Sequence, residues 1–311
     1  MVSVTTALAA AAAAAGCGAD HDQAANHGAG ANTAWALPAK PDPGVREAMN
    51  GLFNGESVRA AAQYEYIYRC MATHGFHYIK PPVGSKDVNP TMPDQQGYGI
   101  SVAEARSHGY GSKGHSDNAR TEIDQTAGLS AAQKQAWGLA FFGRENGPTV
   151  RVNLPGGGQI EENAEGCLAE ARIKIYGSLE QQMRLQNLAG NLPIMARQRA
   201  DADPTMKKLN STWSACMTGK GYKGLAAPKD ARAKASEFHQ NIPEAEASQQ
   251  EIQLAVADAS CESAARYAPQ RHLLEDRYYT AGLHYFDGEI AALRELNEES
   301  LKRARQILQN G

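Results

Sequence analysis

Arg69 to Tyr78 reads RCMATHGFHY, and Ala215 to Lys223 repeats its skeleton as ACMTGKGYK. Each stretch holds Cys-Met, three residues, Gly and an aromatic: Cys70, Met71, Gly75 and Phe76 in the first, Cys216, Met217, Gly221 and Tyr222 in the second. A left-handed glycine just past a helix end, followed by an aromatic that packs back on the last turn, accounts for this spacing. The two stretches therefore predict helix stops that each carry a cysteine. Cys167 and Cys261 also repeat one another, since Ala171-Arg172 and Ala265-Arg266 stand at the same distance after them. In each half, about 56–177 and 203–267, a Cys-Met helix end comes first and a mid-helix cysteine second. Of the three pairings that four cysteines allow, this duplication selects Cys70 with Cys167 and Cys216 with Cys261. Ala171 and Ala265, one turn on, leave room for the partner helix.

The four cysteines show no Cys-x-x-Cys spacing, which argues for disulfides in an oxidising compartment over a zinc knuckle. With 42% hydrophobic residues in 311 and no long apolar run beyond the first sixteen, the chain buries one large core or two modest ones and carries no membrane span in its body. Its 31 basic and 34 acidic residues are scattered, which sets nucleic acid aside as a partner.

The Ala-rich, uncharged residues 1–16 end in Ala14-Ala15-Gly16-Cys17, the pattern of an export leader before an acylated cysteine. No Lys or Arg precedes the apolar run, and Ala14 stands where such leaders more often have Leu. The expectation is a signal peptide over 1–16, a lipidated mature N-terminus at Cys17 that meets the membrane, a flexible tether over 17–44 and an extracytoplasmic domain over 45–311. The tether follows from a Gly, Ala, Asn, Asp and Pro composition too poor in large apolar groups to offset ordering.

The body reads as helices. Asp42-Pro43 opens a short one closed by Gly51, and a second runs from Glu56 to Thr73 with Tyr64, Ile67, Tyr68 and Met71 on one stripe. Ser130 and Gln133 form a capping box before a helix ending at Gly143. Further helices are predicted from about Gln159 to Tyr176, from Ser178 to Ala189, from Pro193, from Asp203-Pro204 to Cys216, and from Pro228. Long ones close the chain, from Pro243 to about Tyr267 and from about Gln270 to Leu308, with a break at Pro269. The last carries Leu283, Phe286, Ile290 and Leu293 as a seam for the chain's own helices. The fold class is all-α: a disulfide-stapled, internally duplicated bundle with one long irregular insertion.

That insertion covers residues 81–128, where helical periodicity fails except for a capping box at Ser101 and Glu104 and a stop at Gly109. Its Pro, Gly and polar residues predict the most mobile part of the body. Two Gly-Tyr-Gly copies make Tyr98 and Tyr110 the candidate binding residues, against the plainer reading of a silent insertion.

No nucleophile elbow, phosphate loop, dinucleotide fingerprint or His-Glu-x-x-His motif occurs. His74, His77, His108 and His115 are the histidines from which a metal site would have to be drawn, but His74 and His77 straddle a helix end, and no metal or cofactor is expected. His21 and His27 lie in the tether. Glu161, Glu162, Glu165 and Glu170 around Cys167 read as a solvated helix face.

The Cys-Met-x-x-x-Gly-aromatic element, the Leu129-Ser130-Ala131-Ala132-Gln133 helix start, the Tyr98 region and the long closing helix together resemble exported lipoproteins of high-GC Gram-positive bacteria. The resemblance covers about Glu56 to Leu308. It implies a place in the envelope, on the outer face of the cytoplasmic membrane, and brings no activity or site residue with it. The leading reading is a non-enzymatic protein binding an envelope protein or a small ligand. Its rivals are an envelope hydrolase or transferase with a site between the helices and the insertion, marked by converging His, Glu and Tyr, and a structural spacer.

Overall fold

The computed structural model describes residues 35–84, 87, 91–92, 97–111, 123–154 and 158–310. Cys17, the leader and His115 lie outside the described residues. The described chain is predominantly helical, in the order α1 (Val45–Gly51), α2 (Glu56–Thr73), α3 (Val102–His108), α4 (Ala131–Phe142), β1 (Thr149–Asn153), β2 (Gln159–Asn163), α5 (Gly166–Tyr176), α6 (Leu179–Ala202), α7 (Pro204–Gly219), α8 (Pro228–Asn241), α9 (Glu244–Ala265), α10 (Tyr267–Tyr285) and α11 (Asp287–Gln309).

The two Cys-Met stretches end their helices identically. At α2, Phe76 N–H donates to Met71 O (2.9 Å) and Gly75 N–H to Ala72 O (3.0 Å). At α7, Tyr222 N–H donates to Met217 O (2.9 Å) and Gly221 N–H to Thr218 O (3.0 Å). These are the paired bonds of a Schellman motif, and both glycines take the positive φ it demands, 79° and 92°. Met71 and Met217 are fully buried beneath the caps. Disulfides join Cys70 to Cys167 and Cys216 to Cys261, each with Cα atoms 5.7 Å apart. Neither partner is mid-helix, however. Cys167 is in the first turn of α5 and Cys261 in the last of α9.

Each staple lies in its own apolar cluster. The first holds Ile67, Met71, Trp137 and Cys167, and the second Trp213, Met217, Leu254 and Cys261. Between them α1, α2, α6, α10 and α11 share a larger core around Met49, Leu188, Leu192, Tyr279 and Leu293. The seam of the closing helices is buried there, against the chain's own helices.

Several boundaries differ from the sequence reading. Gln159–Asn163 is not the start of the Cys167 helix but strand β2, antiparallel to β1 with Val152 opposite Ile160. Alternating β-branched Val150 and Val152 suit a strand, and Val152 is buried beside Leu179 and Met183 of α6. Helix α6 runs unbroken through Gly190 and Pro193, because its buried face of Leu185, Leu188, Leu192 and Ala196 outweighs the missing bond. At α1 the cap is left-handed Gly44, not Asp42. Asp87 reaches back to cap α2, accepting from Gly55 and Ser57 N–H at 2.6 and 2.8 Å.

The break after α9 falls at Arg266, in the left-handed region, and Pro269 sits within the first turn of α10. The expected helix over 270–308 is two, parted at Phe286, whose ring packs edge-on against Trp35. Gly282 admits that tryptophan, since a Cβ there would stand 2.8 Å from its ring. Trp35 also lies under the Arg199 guanidinium (4.3 Å), while Arg277 Nε donates to Pro38 O (2.6 Å). The described end of the expected tether, residues 35–44, is therefore anchored on the bundle.

Candidate functional site

Helix α9 places Glu251, Asp258 and Glu262 seven and four residues apart, hence on one face, and all three are buried. Residues 97–111 of the insertion pack on that face. Ser101 and Glu104 form the anticipated capping box of α3. The segment is then tied down at both ends. Gly99 N–H donates to Glu262, Tyr110 N–H to Glu251 Oε1 (2.8 Å), and the Tyr110 hydroxyl to Asp258 Oδ2 (2.8 Å). From below, Trp213 Nε1–H donates to Asp258 Oδ1 (2.8 Å). The Arg232 guanidinium covers the Tyr110 ring at 4.5 Å.

Burial pushes the Glu262 carboxyl up to about 8, and the Asp258 charge beside it adds to the shift. Burial also raises Asp258, against the hydrogen bonds from Tyr110 and Trp213. The pair therefore shares charge unequally at neutral pH: Asp258 is served by two donors, and Glu262 keeps its proton. Tyr110 is half-buried within this cluster and is not among the residues lining the cavity beside Tyr98.

Tyr98 does line that cavity. Its hydroxyl donates to Glu275 Oε2 (2.7 Å), a side chain only 1% exposed that also accepts from Arg271 Nε (2.8 Å) and Arg46 Nη2 (3.2 Å). Arg271 pairs in turn with Asp201 (2.9 Å) and lies 4.8 Å from the Tyr98 ring centroid. Tyr267 donates to Asn210 Oδ1 (2.6 Å) and meets Tyr98 edge to face at 5.9 Å. These side chains wall a cavity of about 270 Å³ between the Tyr98 segment, α6, α7, α10 and the start of α8. Lys229 and Arg197 complete its polar lining. Lys229, exposed on the first turn of α8, has no ion-pair partner among the described residues.

Burial, reinforced by the Glu275 and Asp258 charges, raises Tyr98 and Tyr110 far above the ordinary phenol value. Both keep their protons and act only as donors. His272 packs on Tyr98 at 5.3 Å, and burial, then Arg46, holds it below its ordinary value. Tyr, His and Glu do converge here. Glu275 itself is held by three donors, Tyr98, Arg271 and Arg46.

The other candidates are dispersed. His77 packs on Tyr68, His108 bonds Ser107, and His74 caps α2 beside the first disulfide. The glutamates around Cys167 are not one helix face: Glu161 pairs with Arg151, Glu162 with Arg172 and Glu165 with Arg144. Only Glu170 lies on α5. Sequence reading missed Arg271, Glu275 and Lys229, and the signal for the carboxylate row was three acids at one helical face of an otherwise Ala-rich α9. No protein-family model, curated protein or solved structure matches the chain.

Proposed function

We propose that this is an exported, lipid-anchored binding protein that takes a small molecule bearing a carboxylate or phosphate into the Tyr98 cavity. The observation that carries the binding site is the balance of its lining: Arg197, Lys229 and Arg271 against Asp201 and Glu275, around tyrosine rings that cannot ionise. Three cations face two carboxylates: Arg271 pairs with both, whereas Arg197, which donates to Thr91 O, and Lys229 at the rim have no ion pair among the described residues. An acidic group meets Lys229 and the first turn of α8, where the helix field also favours a negative charge. The Tyr98 and Tyr267 rings flank the remainder of the ligand.

Two disulfides fit an oxidising, extracytoplasmic location. No helix among the described residues is long and apolar enough to cross a membrane. The small residues before Cys17, and the resemblance to exported lipoproteins of high-GC Gram-positive bacteria, support acylation of Cys17 as the anchor. Residues 17–34 then span up to roughly 60 Å at about 3.3 Å per residue. Mass spectrometry of the membrane fraction tests this half of the reading, and an unmodified Cys17 contradicts it. Binding is tested by calorimetric titration with phosphate, citrate and glutamate. Saturable binding of at least one, abolished by Lys229→Glu in a protein of unchanged stability, is expected. Binding of none, or equal binding by the variant, overturns it.

A further inference from the structure

The two cap cysteines differ in their neighbours. Four residues after Cys70 stands His74, where the second copy has Lys220, and three after Cys167 stands Glu170, where the second has Ala264. In the folded protein a His74 ring nitrogen and the sulfurs of Cys70 and Cys167 lie within 4.8 Å of one another. A Glu170 carboxylate oxygen is 3.7 Å from Cys70 Sγ and also accepts weakly from the Tyr66 hydroxyl (3.4 Å). His74 and Glu170 both border an open groove that includes Phe76, Leu139 and Arg144, and Cys70 is partly exposed whereas Cys167 is buried.

We propose that the Cys70–Cys167 pair is a redox-gated metal site: once reduced, it binds a thiophilic divalent cation such as zinc through Cys70, Cys167, His74 and Glu170. Two thiolates, an imidazole nitrogen and a carboxylate oxygen are a four-ligand set that zinc accepts in tetrahedral geometry. Two electrons from an external dithiol cleave the sulfur–sulfur bond, leaving two thiols on the protein and a disulfide on the reductant. Each thiol releases its proton as it ligates the ion. The sulfurs then part to about 3.8 Å, the separation set by a tetrahedral site with bonds of about 2.3 Å. Bound metal joins α2 to α5 across the same chain loop that the disulfide closed. The second staple lacks both extra donors and has no such state.

The test uses the full chain reduced with a phosphine under inert gas and titrated with cobalt(II), then zinc(II) in competition. The thiolate-to-cobalt charge-transfer band is expected to saturate at one ion per chain and to be displaced by zinc. Cys216→Ala/Cys261→Ala is expected to keep the band, and His74→Ala, which leaves the oxidised staple intact, to weaken cobalt binding about tenfold or more. No band, a band that His74→Ala does not weaken, a band lost in the Cys216/Cys261 variant, or precipitation on reduction without loading overturns the proposal.

Discussion

Cys70 and Cys216 stand on the same helix cap, bond for bond, yet their partners approach from opposite ends: Cys167 is the second residue of α5, whereas Cys261 is the fifth from the end of α9. The repeat is thus a joint rather than a domain. A Schellman cap with a cysteine one turn back offers a sulfur at a fixed place, and a helix of either polarity can be bolted to it. What differs is the length of partner left beyond the bolt. Short α5 ends in contact with α11 and α6, while α9 extends five turns away from Cys261 and carries the acids that hold residues 97–111. The first joint therefore closes a hairpin-bearing layer around an exposed groove. The second closes the half that contains the cavity.

The largest effect expected from breaking this comparison is loss of a joint. Replacing both cysteines of a pair by serine removes a loop constraint of 97 residues at Cys70–Cys167 and 45 at Cys216–Cys261. Chain entropy puts the costs at about 4.7 and about 4 kcal/mol, so denaturant midpoints should fall for both and slightly further for the first. Equal stability of either variant and the wild type would show that its staple constrains nothing. Truncating the methionine under each cap, Met71→Ala and Met217→Ala, is next, at about 2–5 kcal/mol each by cavity formation. Similar losses at the two sites support equivalent joints, and a loss at one alone does not.

The buried acids of α9 set a pH dependence in the second half. Because Glu262 ionises near 8 in the fold and near 4.5 in the unfolded chain, the native state binds the extra proton between those values. Stability from this group is full below about pH 4.5 and is lost as pH rises through about 8. Glu262→Gln should raise stability at pH 8 and flatten the slope between pH 5 and 8 in urea titrations, and an unchanged slope would assign it to other groups. The smallest change is Tyr110→Phe, which removes one donor to Asp258 at about 1–3 kcal/mol and should speed amide exchange in 97–111 without altering exchange around Cys70.

Local signals were legible where chemistry is local. The capping boxes at Ser101 and Ser130, the Asp203-Pro204 start, helix α2 and both glycine stops lie where their residues predict, because each motif satisfies its own backbone groups within a few residues. The pairing of the cysteines was legible through repetition. The continuity of α6 past Pro193 and the parting at Phe286 were not, since the first depends on a face buried by α10 and α11 and the second on Trp35, about 250 residues away in sequence. Tyr98 and Tyr110 were visible as candidates from their glycine neighbours. Their hydrogen-bond partners were not, because the acids that receive them, Glu275 and Asp258, are more than a hundred residues distant and read as ordinary helix surface.

Peptide mapping of the exported protein under non-reducing conditions tests the two-joint architecture most directly. The account predicts one linked pair containing Cys70 and Cys167 and another containing Cys216 and Cys261. Crossed pairs, or four free thiols, would contradict it.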